Sequence, residues 1–341
     1  MSVDIITGDA LEVLRTLPDE QFQCIVTSPP YFNLRDYGQE GQIGLEETPQ
    51  AFIARLAEVF EECRRVLRSD GVMWVNMGDS YSEGGNGGGG KNDTNKGSLT
   101  VTAKKAPAGY KPKNLLGIPW RLAFALQDAG WWLRQDIIWS KPNPMPESVR
   151  DRCTKAHEYI FMLTKSARYF YDADAIKENM ADSSLARLSQ NVDAQEGSAR
   201  VPGKTNGNMK AVGGRRKTDK QRGHGRRRDG FNDRWDGVTK AEQQSMGRNK
   251  RSVWTIATQP YSEAHFATFP PALPEICIKA STKPGDHVLD PFGGAGTTGL
   301  VADRLQRHCT LIELNPEYAE MARKRIDGDA PLLNTPQEVP A

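Results

Sequence analysis

Residues 287 to 300 read HVLDPFGGAGTTGL, a short apolar stretch followed by a glycine-rich loop and the beginning of a helix. Gly293, Gly294 and Gly296 have no Cβ, so a ligand can approach the backbone closely, and the start of the helix offers free N–H groups. Glu313 ends the next predicted strand about 20 residues later, where a carboxylate can accept hydrogen bonds from both hydroxyls of a ribose. The pattern predicts a site for an adenosine-type cofactor.

The same loop allows two other interpretations. Gly294, Gly296 and Gly299 satisfy the spacing GxGxxG, which would suit a nicotinamide-dependent dehydrogenase, and a tight turn without any ligand also fits. The position of the loop argues against a dehydrogenase, because too few residues follow Asn315 to supply the remaining strands of a doubly wound sheet. Strands from the N-terminal part must complete the sheet, so we expect a circularly permuted order.

Apolar patterning elsewhere predicts alternating strands and helices, which indicates an α/β fold. One helix is predicted to begin after Thr48, a good N-cap followed by Pro49, and to end at Gly71. The predicted strands are residues 3–7 and 23–27, both short and buried, then 72–77, 131–139, 157–164, 287–290 and 309–314. The other predicted helices are residues 11–17, 115–130 and 270–282, one from Thr297, and a short one that closes the chain.

The second chemical signal is SPPY at residues 28 to 31, directly after the predicted strand QCIVT. Two successive prolines fix φ and restrict the residue before each, so the Ser28 side chain and the Pro29 carbonyl can be held rigidly at the end of a strand. Tyr31 adds an aromatic surface on which a planar substrate can stack. Phe32 and Tyr37 are candidates for further walls of this site, with core packing as the alternative.

Charge is concentrated between residues 182 and 251, where about 17 Lys and Arg residues stand against about 8 Asp and Glu residues. The stretch includes GGRRKTDKQRGHGRRRDG and shows neither helical nor strand periodicity, which indicates an irregular insert. It is either a solvated linker or a segment that binds a polyanion through its clustered Arg and Lys side chains.

Several classes of protein are excluded by composition. No apolar run approaches the roughly 20 residues of a membrane span, and the N-terminus lacks a secretory signal, so we expect a cytoplasmic protein without a membrane partner. The 5 cysteines are widely spaced with no CxxC pair, which favours buried, reduced thiols over disulfides or a zinc site. His157-Glu158 lacks the second histidine of HExxH, and we predict no metal site.

VTSPPY at residues 26 to 31 together with DPFGGAGTT at 290 to 298 resembles the DNA amino-methyltransferases, specifically the β-ordered group in which the catalytic motif precedes the S-adenosylmethionine motif. The similarity extends over most of the chain, through GDALEVLRTLPDEQF, KPNPMPESVRDRCTKAHEYIFMLTKS, HFATFPPALPEICIKASTKPGDHVLDPF and IELNPEYAEMARKRI. It implies a circularly permuted Rossmann-like methyltransferase sheet with helices on both faces. Residues 1–170 would form the catalytic half, 171–255 a basic, partly irregular target-recognition insert, and 256–341 the cofactor-binding half.

The resemblance also implies roles for individual residues. S-adenosyl-L-methionine would be the cofactor, and the residues expected near it are Asp9, Asp290, Phe292, Gly293, Gly294, Gly296, Thr297, Thr298, Glu313 and Asn315. Ser28, Pro29, Pro30 and Tyr31 would form the catalytic motif that holds a flipped-out base. The residues expected to contact DNA are Arg150, Arg152, Lys155, Arg215, Arg216, Arg226, Arg227 and Arg228.

Serine before the two prolines is usual in cytosine-N4 enzymes of this family, so the resemblance implies methylation of cytosine N4 in double-stranded DNA. Adenine N6 is the alternative base. An inactive DNA-binding protein on the same fold, or a methyltransferase acting on RNA or protein, are further alternatives. The family also implies two partners, a second copy of the chain and a restriction endonuclease encoded separately, although an orphan or phage-borne enzyme is equally compatible.

Overall fold

The structure is a computed structural model of the whole chain. It describes residues 2–82 except 35, 37 and 40, residue 107, residues 109–180, residue 239, residues 247–259 and residues 269–329. These residues divide into two units, one drawn from the described parts of Met1–Asp172 and Arg251–Ala341 and the other from those of Ala173–Lys250. The sheet and all sites discussed below lie in the first unit. The predicted division at residues 170 and 255 remains a prediction.

The described residues form one eight-stranded sheet with the strand order β1-β8-β7-β2-β3-β5-β4-β6. Neighbouring strands are parallel, except that β5 is antiparallel to both β3 and β4. The strands are β1 (Val3–Thr7), β2 (Phe22–Thr27), β3 (Leu67–Met77), β4 (Trp132–Ser140), β5 (His157–Thr164), β6 (Val253–Thr255), β7 (His287–Asp290) and β8 (His308–Glu313).

The strand order confirms the predicted permutation. The last two strands of the sheet in sequence, β7 and β8, lie between the first two, because β8 pairs with β1 and β7 pairs with β2. The carboxyl ends of β1, β2, β7 and β8 therefore meet at one edge of the sheet, which is where parallel sheets bind ligands.

Helices cover both faces of the sheet, as expected. They are α1 (Ala10–Thr16), α2 (Pro49–Val66), α3 (Ile118–Asp128), α4 (Ala272–Ser281), α5 (Thr297–Arg304) and α6 (Pro316–Asp329). The second unit contains a short 3₁₀ helix at Asp174–Ile176. On β3, Met73 and Val75 belong to the core cluster that includes the buried side chains of α1, α2 and α3. The next residue along, Trp74, donates its indole N–H to the Ser281 hydroxyl of α4 at 2.8 Å, on the opposite face.

The caps of two helices follow from local sequence. Thr48 accepts a hydrogen bond from the backbone N–H of Ala51, and Pro49 occupies the first turn of α2. Asp9 caps α1 by accepting from the backbone N–H groups of Leu11 and Glu12. These short-range contacts explain why the beginnings of α1 and α2 were predictable.

Four expectations need correction. Gly71 does not end a helix: α2 ends at Val66 and β3 begins at the next residue, so Gly71 lies inside the strand. The segment 3–7 is a strand at the sheet edge and is only partly buried. The short strand β6 and the 3₁₀ helix carry too few residues to show periodicity and were not predicted. Of the cysteines, Cys153 is exposed while the other four are buried, and all are free thiols.

Within the described residues, no helix is both long enough and apolar enough to cross a membrane.

Candidate active site

Asp290 joins the two motifs at the carboxyl edge of the sheet. One of its carboxylate oxygens accepts from the Thr27 hydroxyl at 2.7 Å, at the end of β2, and from the backbone N–H of Phe292 at 3.1 Å. The other accepts from the Thr298 hydroxyl at 2.6 Å, in the first turn of α5. The residue before SPPY is thus fixed to the glycine-rich loop through a single buried carboxylate.

The environment of Asp290 is unusual for a carboxylate. The residue is 1% exposed, and burial raises the pKa of its carboxyl to about 6 although all three hydrogen bonds oppose this rise. Its oxygens are occupied by protein donors, so Asp290 holds the loop in shape. The predicted proximity of Asp290 to the cofactor remains a prediction.

The glycine-rich loop follows β7 closely. A Cβ on Gly293 would lie 3.0 Å from the Leu311 Cβ of β8, so the absence of a side chain lets the loop lie against that strand. Gly294 and Gly296 have positive φ values of 52° and 74°, which glycine adopts without strain. Gly296 directly precedes α5, so the loop ends at a helix N-terminus as predicted.

Glu313 lies at the end of β8 with its carboxylate oriented by backbone groups. Its two oxygens accept from the N–H groups of Gly294 at 2.7 Å and of Asn315 at 2.9 Å. Burial raises the pKa of the Glu313 carboxyl. A carboxylate offers about four acceptor positions, so Glu313 keeps acceptor capacity for ribose hydroxyls beside the loop.

Other predicted cofactor residues surround the same edge. Asp9 follows Gly8, whose N–H donates to the Glu313 carbonyl at 3.0 Å. The Asn315 side chain caps α6 by accepting from the backbone N–H of Glu317 at 2.8 Å. The Thr297 hydroxyl accepts from the Arg325 guanidinium at 2.9 Å. The structure thus brings these predicted cofactor residues together. Several of their side chains already form hydrogen bonds within the protein.

SPPY sits beside a polar network that the sequence did not reveal. The Tyr31 hydroxyl donates to the Glu158 carboxylate at 2.7 Å. The Asn76 amide donates to both of these groups, at 3.1 Å and 3.0 Å, and lies 3.4 Å from the Ser28 hydroxyl. Lys141 forms an ion pair with Glu158 from the end of β4. Burial and the nearby Glu158 charge raise the pKa of Tyr31 well above its ordinary value.

The missed residues come from three different strands. Asn76 lies near the end of β3, Lys141 follows β4, and Glu158 lies near the start of the antiparallel β5, so all three reach the edge where SPPY lies. For Glu158 the sequence predicted a place in a strand and in the segment that resembles the family, and it argued against a zinc motif, but it assigned no role at the site. A polar residue within the apolar run VMWVNM was the one available signal for Asn76.

Gly78 determines how closely the Tyr31 ring packs against the backbone. A Cβ on Gly78 would lie 2.7 Å from Tyr31 Cε2, so the ring packs directly on the glycine backbone. We expect Gly78→Ala to displace the ring and so to lower the rate constant of the methyl transfer that the resemblance implies by about tenfold. The overpacking should cost about 1–3 kcal/mol of stability. Single-turnover kinetics with urea unfolding measure both effects. An unchanged rate constant would show that the ring position is unimportant.

The residues predicted to contact DNA differ in their exposure and in the partners that they have within the protein. Arg152 forms an ion pair with Glu147 at 2.6 Å and lies over the Tyr81 ring. Lys155 donates to the Asp79 carbonyl at 2.6 Å, and burial lowers the pKa of its ammonium. Arg150 is exposed. The predicted contacts of Arg215, Arg216, Arg226, Arg227 and Arg228 lie outside the described residues.

Phe32 and Tyr37 were the two candidates for further walls of the substrate site, and the structure decides the role of Phe32. Phe32 is 2% exposed and its ring lies 5.5 Å from that of Phe52, so it packs in the core. Tyr37 lies outside the described residues.

The Asp79 carboxylate accepts hydrogen bonds from the backbone N–H groups of Ser80, Gly117 and Ile118. It thereby caps the beginning of α3.

Comparison with known proteins places this geometry in a family. The sequence matches the family described as DNA methylase over residues 22–324. The chain belongs to the DNA methylase family. Its relative M.SmaI of Serratia marcescens, a Type II methyltransferase, is 44% identical over 325 residues, which are 95% of this chain and 91% of that protein. The resemblance inferred from SPPY and DPFGGAGTT is confirmed.

Solved structures support the fold of this DNA methylase. The PvuII DNA methyltransferase, described as cytosine-N4-specific, superposes with a TM-score of 0.60 at 18% identity, covering 100% of this chain and 89% of that one. A putative DNA modification methylase from Thermus thermophilus, complexed with S-adenosyl-L-methionine, gives a TM-score of 0.55 at 21% identity, covering 97% and 96%. These similarities confirm the Rossmann-like methyltransferase sheet.

Family membership defines the reaction at the level of its class. The DNA methylase is an amino-methyltransferase that uses S-adenosylmethionine and acts on DNA. The site fits this cofactor, because the glycine-rich loop ends at the N-terminus of α5 and the Glu313 carboxylate, oriented by the N–H groups of Gly294 and Asn315, suits a ribose. The dehydrogenase interpretation of GxGxxG is thereby excluded.

Proposed function

We propose that this DNA methylase transfers the methyl group to the exocyclic N4 amine of cytosine in double-stranded DNA. One observation carries the proposal: Ser28 directly follows the carboxyl end of β2 and its hydroxyl accepts from the Asn76 amide at 3.4 Å, in the position where the family's cytosine-N4 enzymes have serine. A hydroxyl oxygen has two lone pairs, so the Ser28 oxygen can accept a second hydrogen besides that of the Asn76 amide.

The chemistry of an exocyclic amine explains the need for acceptors. The amine is a weak nucleophile because its lone pair is delocalised into the ring. The Ser28 oxygen and the Pro29 carbonyl can accept its two N–H groups and draw the nitrogen toward a tetrahedral geometry. S-adenosylmethionine supplies an electrophilic methyl group when bound. Positioning and electrostatic stabilisation by the protein then provide most of the rate acceleration.

Several features of the substrate complex belong to the same proposal. The target base leaves the duplex and is held beside Tyr31, since a stacked base cannot reach Ser28. The insert at residues 171–255 recognises the DNA sequence, with Arg150 and the clustered arginines near the phosphates. The relative M.SmaI is a Type II methyltransferase, which supports a restriction endonuclease as a separately encoded partner. A homodimer is a further proposal from the family.

Nucleoside mass spectrometry tests the base. Unmethylated DNA of varied sequence is incubated with the purified protein and S-adenosylmethionine, and the digested nucleosides are measured. N4-methylcytosine is the expected product. N6-methyladenine would overturn the cytosine proposal while keeping the amine chemistry, and the absence of both would favour the inactive DNA-binding alternative.

Replacement of Ser28 tests its role. We expect Ser28→Ala to lower the single-turnover rate constant about 10- to 100-fold, because one acceptor for the amine is lost while the loop stays in place. Affinity for S-adenosylhomocysteine, measured by calorimetry, should not change. Thr16→Ala, on the exposed surface of α1, is a control for loss of a hydroxyl group. Full methyl transfer by Ser28→Ala would show that the assigned role is wrong.

A further inference from the structure

The Tyr31 hydroxyl has partners within the protein for both its hydrogen and its oxygen. The hydrogen is donated to Glu158 Oε2 at 2.7 Å, and the oxygen accepts from the Asn76 amide at 3.1 Å. Tyr31 is nevertheless partly exposed. The ring, rather than the hydroxyl, is therefore the part of Tyr31 that can meet a planar base.

We propose that Glu158 is a positioning residue of this site, which fixes the orientation of the Tyr31 ring against which the target base is held. The inference rests on the proposed function, in which a flipped base lies beside Tyr31, and it applies to cytosine and adenine alike. Methyl transfer requires the amine to lie in line with the sulfur–carbon bond, and a misplacement of about 1 Å can lower a rate about 100-fold. A ring of fixed orientation limits the placements that a base stacked on it can adopt.

Two contacts together define the orientation of the ring. A tyrosine side chain turns about two bonds, and its hydroxyl oxygen lies on the axis of the second. The hydrogen bond to Glu158 therefore fixes the direction of this axis but not the rotation of the ring around it. Gly78 restricts the rotation, because a Cβ there would lie 2.7 Å from Tyr31 Cε2 and 3.3 Å from Cδ2. Without Glu158, the axis would be free to tilt.

Glu158 is itself held through both of its carboxylate oxygens. Oε1 pairs with the Lys141 ammonium, and Oε2 accepts from the Asn76 amide at 3.0 Å as well as from Tyr31. The Lys141 and Glu158 side chains are 18% and 14% exposed, so water competes little for these bonds. A carboxylate accepts hydrogen bonds but donates none, so the Tyr31 hydroxyl can only donate to it.

The residues that hold the ring belong to the sheet, whereas Tyr31 lies in the loop after β2. Asn76 is part of β3 and Glu158 is part of β5, and these two strands pair with each other. Lys141 directly follows β4, and its backbone N–H donates to the Ala156 carbonyl at 2.8 Å, just before β5. Side chains on strands are held more precisely than those on loops. The network thus gives a loop residue the rigidity of the sheet.

Three variants test the tether in single-turnover methylation of DNA. Glu158→Ala removes the acceptor, Tyr31→Phe removes the donor but keeps the ring, and the double variant removes both. We expect each single variant to lower the rate constant about tenfold, since the ring is less well placed in both. The double variant should be no slower than the slower single variant, because both groups act through one hydrogen bond. Affinity for S-adenosylhomocysteine should stay within about twofold.

These kinetics can contradict the proposal in two ways. A wild-type rate constant in Tyr31→Phe would show that the hydroxyl does not hold the ring in a productive orientation. Losses that multiply in the double variant would show that Glu158 acts independently of Tyr31. Tyr31→Phe removes a single oxygen atom, so it decides the outcome if Glu158→Ala folds poorly. Glu275→Ala is the matched control, because Glu275 also pairs with a lysine, Lys279, but on the surface of α4.

The combination of Lys141→Met with Glu158→Gln separates the hydrogen bond from the charges. The glutamine oxygen can still accept from the Tyr31 hydroxyl, and no ammonium is left without its carboxylate. We expect this combination to recover the wild-type rate constant to within about threefold, because the geometry of the ring is kept. A rate constant as low as that of Glu158→Ala would show that the charge matters rather than the position, and would overturn the proposal.

Fluorine NMR tests the tether without activity. In protein labelled with 3-fluorotyrosine, the Tyr31 signal is the one that Tyr31→Phe lacks. We expect it to move in Glu158→Ala and to keep its wild-type shift in Glu275→Ala, and an unmoved signal in Glu158→Ala would overturn the proposal. Total methyl incorporation is the kinetic readout, so N6-methyladenine as product would refute the cytosine assignment alone. If the wild type transfers no methyl group, the proposed function fails, and the fluorine signal still decides whether Glu158 orients the ring.

Discussion

Replacing Asp290 with asparagine is expected to stabilise the protein by about 3 kcal/mol at neutral pH and to change its stability little near pH 4. The reason is the buried carboxyl, whose pKa rises from its ordinary value of 3.8 to about 6 in the folded protein. Each pKa unit corresponds to about 1.4 kcal/mol, so ionisation of Asp290 costs the folded state about 3 kcal/mol.

The sign follows from proton binding. Between pH 3.8 and about 6 the folded protein keeps the Asp290 proton that the unfolded chain loses, so the stability of the wild type falls as pH rises through this window. Asparagine carries no titrating group, and this decline disappears. The amide oxygen can still accept from Thr27 and Phe292, while its nitrogen can donate to the Thr298 hydroxyl, whose hydrogen can turn to the Val26 carbonyl at 3.5 Å.

Urea unfolding of both proteins at several pH values between 4 and 8 measures the effect. The difference in the free energy of unfolding should grow from near zero to its full value by about pH 7. Asp128→Asn, at the exposed end of α3, is the control for a change in net charge. A constant difference across the range, or a less stable Asp290→Asn at pH 7, would contradict the argument.

The sequence predicted those parts of the fold that depend on near neighbours. The strand β7, the glycine-rich loop and α5 form one continuous segment, and the position of Asp290 before the loop was visible in it. The hydrogen bond from Thr27 to Asp290 spans 263 positions in sequence, and no local pattern could indicate it. The permutation was predictable because it follows from counting strands after Asn315.

The boundary between a helix and a strand was less predictable where no linker separates the two. The helix α2 passes directly into β3, so no turn residue separates Val66 from Leu67. Gly71 looked like a helix stop because glycine commonly follows helices. Inside β3 the missing side chain has a packing role, since a Cβ there would lie 2.7 Å from the Leu67 side chain.

The candidate site also contains features that the local sequence predicted and contacts that it did not. SPPY was recognised as a motif, but the sequence suggested only an aromatic surface for Tyr31. In the structure, the Tyr31 hydroxyl contacts Asn76 and Glu158, which lie 45 and 127 positions away in sequence. The contact with Asn76 depends on the pairing of β2 with β3, and the contact with Glu158 depends on the antiparallel placement of β5 between β3 and β4. Periodicity specifies neither arrangement.

The glycine spacing of the loop acquires a physical explanation from packing. Gly299 lies within α5, where a Cβ would come 2.9 Å from Leu311 and 3.0 Å from Val3. The third glycine of GxGxxG thus allows close helix–sheet packing, a role it also has in dinucleotide-binding folds. This shared requirement explains why the spacing alone could not distinguish a methylase from a dehydrogenase.

Gly296→Ala is expected to destabilise the protein by about 3–4 kcal/mol and to abolish detectable binding of S-adenosylhomocysteine. Gly296 has φ of +74°, which costs an L-residue about 1–2 kcal/mol. A Cβ at this position would also lie 2.8 Å from the Ala322 Cβ and 3.2 Å from the Ala322 Cα of α6. Overpacking of this kind adds about 1–3 kcal/mol, and relief requires movement of α5 away from α6. That movement displaces the loop that we expect to hold the cofactor.

Gly285→Ala separates the two contributions to this loss. Gly285 has φ of +87°, but a Cβ there meets nothing within 4 Å, so only the backbone strain of about 1–2 kcal/mol should appear. Urea unfolding gives the stabilities, and calorimetric titration with S-adenosylhomocysteine gives the affinities, which Gly285→Ala should leave unchanged. Equal losses of stability in the two variants would show that α6 yields to the added methyl group. Retained cofactor affinity in Gly296→Ala would show that the loop keeps its shape despite the contact.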